Sequence, residues 1–260
     1  MSRPWFRVVL VTALGLSLFV VISLFVGQLS YAGPVSPLDA LGEGDVRHAI
    51  YLSLICATIA TFLGIALAIP TAYALAKSDF RGKTVIDALL DIPIILSPVA
   101  LGLSLLLLFR TSPGGWVQDH LIRFVFEVPG IILAQFILAL ALSIRVLKAT
   151  FDDQDRRLEQ VARFLGATPW KSFRHVALPL ARPGLLAAFI LSWARVMSEF
   201  GATVTVAGAV QGKTETIPVS IYLNLSSIDI DKAVALMLLL SMVALTVLLS
   251  VRLISRGQYD

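Results

Sequence analysis

Long apolar runs alternate with short polar connections along the whole chain. A membrane-spanning helix needs roughly 20 mainly apolar residues. Six segments meet that requirement, at about residues 7–27, 51–76, 88–109, 129–147, 184–207 and 234–254. The fifth is the least uniform, since it carries Arg195 and Glu199. The pattern predicts an all-α membrane protein with six transmembrane helices, which form a single domain over residues 1–260.

The first apolar run also has features of a secretory signal peptide. Arg3 and Arg7 precede it, and a small-x-small sequence follows it at residues 30–32. Its length of about 19 residues exceeds the ~7–15 apolar residues of a usual signal peptide. We therefore expect an uncleaved first helix, with cleavage as the alternative.

Composition agrees with a membrane protein, and the charges indicate its orientation. The chain is 57% hydrophobic and only 15% charged, with a mean hydropathy of +0.86. The net charge of +4 does not indicate nucleic acid, because basic residues of membrane proteins collect in cytoplasmic loops. Fifteen of the 21 Lys and Arg lie on one side of the predicted membrane and five on the other, with Arg195 inside a span. We expect both termini and the connection at residues 148–183 to be cytoplasmic, in a multi-pass protein of the cell membrane.

Two GKT tripeptides, at residues 82–84 and 212–214, raise the question of a nucleotide site. A phosphate-binding loop needs a glycine five positions before the glycine of GK, so that backbone amides can surround the phosphates. Lys77 and Ala207 occupy those positions. The sequence therefore predicts neither a bound nucleotide nor catalysis by this chain.

The sequence contains no residue pattern typical of a metal site or a redox centre. The three histidines are isolated from one another and from carboxylate pairs: His48, His120 and His175. No metal site is predicted from them. Cys56 is the single cysteine, so an intrachain disulfide is excluded.

The connection at residues 148–183 has more local order than a simple loop needs. Asp155 can cap a first short helix, and Gly166 suits a left-handed stop at its end. The apolar residues between them have the spacing of one helix face: Leu158, Val161, Ala162 and Leu165. The pattern predicts an amphipathic helix of about two to three turns.

A second short helix follows at once. Thr168 and Pro169 form an N-cap and first-turn pair, and Pro179 is expected to end the helix. Its apolar stripe consists of Trp170, Phe173 and Val176 or Ala177. Two interpretations remain open, because such helices either lie on the lipid surface or fill a groove on a partner protein.

The same segment resembles the cytoplasmic signature loop of ABC importer permeases. In that pattern a Gly is followed after nine residues by an aliphatic residue, one further residue and Leu-Pro, here Gly166, Val176, Leu178 and Pro179. Residues 160–162 stand where the family has Glu-Ala-Ala, with Gln160 in place of the Glu. Glu159 is adjacent, and the sequence leaves open whether it takes over the contact of the missing Glu.

The resemblance implies the type I importer permease fold, in which this loop forms a coupling helix that docks on a separate ATPase subunit. The implied partners are two ATPase subunits, an extracytoplasmic solute-binding protein, a second copy of this chain and membrane lipid, but no nucleic acid. ATP and Mg would be bound by the ATPase, whose closure would move residues 155–178 and tilt spans three and five. The expected docking residues are Glu159, Gln160, Val161, Ala162, Gly166, Ala167, Pro169, Trp170, Phe173, Val176, Leu178 and Pro179.

Three further stretches resemble permeases for tetrahedral oxyanions. The run AR-x-x-x-EFGA at residues 194–202 is similar to molybdate, tungstate and sulfate permeases. Residues 213–222, together with residues 91–93 and 97–98, are more similar to the molybdate/tungstate branch. The resemblance implies a molybdate or tungstate importer. A sulfate/thiosulfate importer is one alternative, and a stand-alone secondary carrier is another.

The fifth span carries charges that must avoid lipid. Arg195 and Glu199 are four residues apart on one helix face and can pair. A charge at the bilayer centre costs about 2.5–3.5 kcal/mol, so we expect both to face protein or water. Either they form a structural ion pair, or Arg195 makes a transient contact with an anion in the pore. Pro98 and Gly201 are candidate gate hinges, with ordinary helix kinks as the alternative.

Overall fold

The computed structural model of this protein describes residues 4–31 and 37–256, which are largely helical. The helices are α1 Pro4–Ser30, α2 Pro37–Ala40, α3 Gly44–Lys77, α4 Lys83–Ile95, α5 Pro98–Arg110, α6 Ser112–His120, α7 Val128–Asp152, α8 Arg156–Phe164, α9 Pro169–Leu180, α10 Arg182–Met197, α11 Gly201–Ala207, α12 Ile217–Ser226 and α13 Ile230–Arg256.

Four helices, α1, α3, α7 and α13, are long and apolar enough to cross a membrane by themselves. Two bent pairs, α4 with α5 and α9 with α10, raise the number to as many as six if each pair is one span. The predicted all-helical membrane fold is therefore confirmed, with four to six spans in the described part of the chain.

The third predicted span, residues 88–109, is not one continuous helix. The helix axis bends by 111° between α4 and α5, and the break lies at Leu96 and Ser97. Pro98 starts α5, where its missing N–H costs nothing, and the Ser97 hydroxyl accepts a hydrogen bond from the Ala100 N–H at 3.3 Å. A helix start thus lies inside an apolar run, which hydropathy alone does not reveal.

The fifth predicted span, residues 184–207, is also interrupted. α10 ends at Met197 and α11 begins at Gly201, so three residues form a break. The Glu199 carboxylate accepts the N–H of Ala202 at 3.0 Å, which satisfies a free donor in the first turn of α11. At its other end α10 forms the bent pair with α9, at 66°.

The prediction that Pro179 ends the second short helix is wrong, because the helix continues to Leu180. The chain passes through a π-helical turn at Phe173–Ala177 and continues to Leu180. A proline in an α-helix removes one hydrogen bond and its ring meets the carbonyl four residues earlier. The wider turn directly before Pro179 lets the helix continue through it, and the bend follows at Ala181.

The predicted loops contain further helices. α6 starts after Thr111, whose hydroxyl accepts a hydrogen bond from the Gly114 N–H at 3.3 Å. α12 lies in the predicted connection at residues 208–233, and α3 begins at Gly44 rather than near residue 51. α6 and the start of α3 are polar, and α12 is apolar but only 10 residues long, so a search for long apolar runs misses all three.

The core is centred on α3 and α7, which pack along each other. A Cβ placed on Gly64 of α3 would lie 3.0 Å from the Leu140 nitrogen of α7, so the two backbones approach closely. Small residues at an interface allow this contact between helices in lipid. α10 packs on both helices, whereas none of the most apolar 18-residue window of α1 is buried. The surface of α1 is therefore free for lipid or another chain.

Candidate functional site: the helix pair and the broken fifth span

We call α8 and α9, with residues 165–168 between them, the helix pair. Asp155 caps α8 by accepting the Arg157 N–H at 2.9 Å. Gly166 has a φ of +90°, and two hydrogen bonds of 3.0 Å close the end of α8, from Gly166 N–H to Arg163 O and from Ala167 N–H to Ala162 O. This is the Schellman arrangement, which favours glycine at the left-handed position. The predicted stop and caps are confirmed, so local hydrogen bonds hold the angle between the two helices.

The outer surface of the helix pair is apolar and uncovered in the described protomer. Val161, Phe164, Leu165 and Trp170 are 55%, 89%, 84% and 65% exposed. Exposed apolar patches of this kind mark sites of interaction with protein or membrane. Phe164 was not predicted as a docking residue, because it falls outside the expected apolar stripe of α8.

Glu159 lies on the opposite, inner surface and is only 8% exposed. The Tyr73 hydroxyl donates a hydrogen bond to its Oε2 at 2.5 Å, and the Lys77 Nζ lies 3.8 Å from its Oε1. Gln160, by contrast, is exposed. Both residues line the pocket next to Tyr73 and Lys77, but only Glu159 has its carboxylate buried against them. Tyr73 and Lys77 were missed from the sequence, because they belong to α3 and no local pattern connects them with Glu159.

The predicted docking residues thus divide between two surfaces. Gln160, Val161, Gly166, Pro169 and Trp170 are exposed, whereas Glu159 is buried. The others are partly buried: Ala162, Ala167, Phe173, Val176, Leu178 and Pro179. The Phe173 ring packs against Tyr73 with 4.6 Å between ring centroids. The inner residues fix the helix pair to the body of the protein, and the outer ones are available to a partner.

Arg195 and Glu199 form an ion pair at the break of the fifth span. The Arg195 Nη1 lies 2.8 Å from the Glu199 Oε2. The Glu199 side chain is 1% exposed and that of Arg195 is 42% exposed. Because Glu199 also accepts the Ala202 N–H, its carboxylate joins the end of α10 to the start of α11. This geometry favours the structural interpretation of the pair.

The other two predicted pore residues are in direct contact. A Cβ placed on Gly201 would lie 2.7 Å from the Pro98 Cβ, which is closer than real Cβ contacts. The break between α4 and α5 therefore touches the break between α10 and α11. The structure brings Pro98, Gly201 and the Arg195–Glu199 pair to two adjoining helix junctions.

Residues 60–256 match the family model for the binding-protein-dependent transport system inner membrane component. The chain belongs to this family. The matched region begins within α3 and contains both the helix pair and the two broken spans. The protein is therefore a multi-pass membrane permease.

Similar proteins are named for two kinds of oxyanion. The chain is 36% identical over 179 residues to the molybdenum transport system permease protein ModB of Haemophilus influenzae, covering 67% of this chain and 77% of ModB. It is 32% identical over 218 residues to the sulfate transport system permease protein CysW of Escherichia coli K12, covering 82% of this chain and 75% of CysW. These similar identities do not distinguish between the two substrates.

The fold is shared with a bacterial alginate ABC transporter whose crystal structure contains an alginate pentasaccharide-bound periplasmic protein. The TM-score is 0.77 at 17% identity, and the match covers 97% of this chain and 94% of the transporter chain. At this identity the likeness concerns the fold. The expected ABC importer permease fold is confirmed.

Proposed function

We propose that this chain is the membrane-spanning subunit of an ATP-driven importer that moves a tetrahedral oxyanion, molybdate or tungstate, into the cytoplasm by alternating access. The chain makes and breaks no covalent bond. Two ATPase subunits bind and hydrolyse ATP with Mg on the cytoplasmic side, where both termini and the helix pair also lie. A solute-binding protein delivers the oxyanion from the other side.

The exposed apolar surface of the helix pair is the observation that carries this proposal. Hydrophobic residues on a helix surface bind by filling a groove on a partner. Phe164 and Trp170 are the large side chains suited to act as anchors, since aromatic residues supply much of the energy of such interfaces. The Schellman turn at Gly166 holds the two helices at a defined angle, which a mechanical contact requires.

The exposure of the Arg195 side chain is an argument for a pore between this chain and a second copy of it. Its side chain is 42% exposed in the protomer, although a charge facing lipid costs about 2.5–3.5 kcal/mol. The exposed side of the guanidinium therefore faces protein or water rather than lipid. In a homodimer with the pore between protomers, Arg195 remains paired with Glu199 and offers its free donors to a passing anion. Weak, transient contact suits a pore that must release what it carries.

The proposal is tested by purifying the chain with its cognate ATPase subunit and measuring uptake into vesicles that also contain the solute-binding protein. We expect ATPase binding and ATP-dependent uptake by the unmodified chain. Phe164→Gln should weaken ATPase binding at unchanged thermal stability, because Phe164 makes little contact within the protomer. Leu121→Gln, at another exposed apolar position, serves as the control.

The opposite outcome identifies the alternative. Uptake that persists without ATP or an ATPase subunit would favour the stand-alone secondary carrier. Unchanged ATPase binding by the Phe164 variant would show that the helix pair docks elsewhere or not at all.

The choice of oxyanion rests on residues 213–222 and on the likeness to ModB. Sulfate or thiosulfate is the second candidate, favoured by the likeness to CysW over 218 residues. Competition resolves the two, because unlabelled molybdate or tungstate should suppress uptake at concentrations at which sulfate does not. Equal or stronger suppression by sulfate would reverse the assignment.

A further inference from the structure

The polar contacts on the inner surface of α8 centre on the last turn of α3. Tyr73 and Lys77 both contact the Glu159 carboxylate. The Lys77 Nζ also donates a hydrogen bond to the Gln154 carbonyl at 3.0 Å, and the Arg156 Nη2 donates one to the Ala76 carbonyl at 3.0 Å. These contacts fix the N-terminal half of α8 to the end of α3.

Glu159 is the centre of this attachment. A carboxylate that is 8% exposed is costly to bury unless hydrogen bonds and a cation compensate it. The Tyr73 hydroxyl and Lys77 supply that compensation, and hydrogen bonds to charged groups are roughly twice as strong as neutral ones. The Ser172 hydroxyl lies 3.5 Å from the Glu159 carbonyl, which also brings α9 to this point.

The Tyr73 ring extends the attachment to α7 and α9. Its centroid lies 5.5 Å from that of Phe151 at the end of α7 and 4.6 Å from that of Phe173 in α9. The Gln154 side chain donates to the Ala177 carbonyl at 3.1 Å. The helix pair therefore has a polar and an aromatic connection to the closely packed helices α3 and α7.

We propose that Glu159 is a positioning residue that links the helix pair to α3, rather than a docking residue for the ATPase. Movement of the helix pair then also reaches the membrane through α3 and its packed neighbour α7, in addition to the expected route through span five, into which α9 continues directly at Ala181. This inference rests on the proposed function, since it needs an ATPase that moves the helix pair. Gln160 and the exposed apolar residues keep the docking role.

Four variants and a matched control test the proposal in the full transporter. Glu159→Ala removes both contacts of the carboxylate, to Tyr73 and to Lys77, and leaves the backbone and ring contacts in place. Glu159→Gln keeps an oxygen that accepts the Tyr73 hydrogen bond. Tyr73→Phe removes only the hydroxyl and keeps the ring packing, so its fold is the least disturbed. The fourth variant combines Tyr73→Phe with Glu159→Ala. Asp153→Ala is the control, because it removes an exposed carboxylate from the same segment.

The decisive measurement is the amount of ATP hydrolysed per oxyanion imported, together with co-purification of the ATPase. We expect Glu159→Ala and Tyr73→Phe to retain the ATPase and to raise this ratio about 2- to 30-fold, the range of known coupling changes. Glu159→Gln should restore part of the coupling, and the double variant should be no worse than Glu159→Ala. The control should match the unmodified chain.

Three results separate the possible failures. An unchanged ratio in both Glu159→Ala and Tyr73→Phe overturns the linking role. Loss of the ATPase from Glu159→Ala, with normal coupling in Tyr73→Phe, makes Glu159 a docking residue and also overturns it. Absence of ATPase binding by the unmodified chain contradicts the proposed function itself.

Discussion

A single carboxylate can determine how a membrane helix is interrupted. Glu199 pairs with Arg195 as the four-residue spacing predicts, and it also accepts the Ala202 N–H. The second contact could not be predicted, since it depends on the break at residues 198–200. An apolar run that contains such a residue provides its own helix start. Glu199 can remain charged within the span because both of its carboxylate oxygens have partners, one in Arg195 and one in the Ala202 N–H.

Removing one member of this pair should destabilise the protein more than removing both. Arg195→Gln leaves the buried carboxylate without a cation, and we expect a loss of about 3 kcal/mol in the free energy of unfolding, at the lower end for such pairs because Arg195 is partly exposed. Arg195→Gln combined with Glu199→Gln should recover most of that loss. Denaturation of the purified variants measures both effects.

The same variants separate the two roles of Arg195. If Arg195 also contacts the passing anion, uptake remains low in the double variant although its stability has returned. Full recovery of uptake would leave only the structural role. An equally unstable double variant would contradict the ion-pair explanation.

Two helix breaks that lie far apart in sequence form one junction in the structure. Pro98 starts α5 and Gly201 starts α11, and the two residues touch. α5 and α11 also pack closely beyond the junction, since a Cβ on Gly102 would lie 2.6 Å from the Thr205 Cβ. The pairs α4–α5 and α10–α11 therefore cannot move independently at this point. This contact makes the junction a better candidate for a gate than either break alone.

Adding one methyl group at the junction should separate the two elements. Gly201→Ala places a Cβ 2.7 Å from the Pro98 Cβ, and neither the ring nor the backbone can give way easily. We expect a loss of about 1–3 kcal/mol in stability, typical of overpacking, and reduced uptake. Gly44→Ala is the control, because nothing lies within 4 Å of its added Cβ. If Gly201→Ala is as stable and active as the control, the contact between Pro98 and Gly201 tolerates an added methyl group and the prediction is wrong.

The distribution of charge predicts the orientation of the whole molecule. With fifteen cations on one side and five on the other, the positive-inside rule predicts a cytoplasmic helix pair. The exposed apolar patch of the helix pair agrees with this orientation. In the opposite orientation the patch would face the outside of the cell, where no ATPase could cover it.

Cysteine labelling tests this orientation directly. Cys56 is buried and is replaced by alanine to give a cysteine-free background. A cysteine at exposed Asp153 should react with an impermeant thiol reagent only after the membrane is opened, whereas one at exposed Gln211 should react in intact cells. The reverse pattern would invert the topology and remove the docking proposal.

The sequence by itself determined the all-helical membrane class and the approximate positions of the apolar segments, because the transfer of apolar residues into lipid depends mainly on local composition. It also determined the caps at Asp155, Gly166 and Thr168, since a cap involves only residues within one turn. Only the tertiary structure decided that Glu159 faces Tyr73, that Phe164 is exposed and that Pro98 meets Gly201. Hydropathy shows that a residue avoids water, but it does not show whether lipid, a neighbouring helix or a partner covers it. Contacts between distant parts of the chain leave no local period, so they appear only when the helices are packed together.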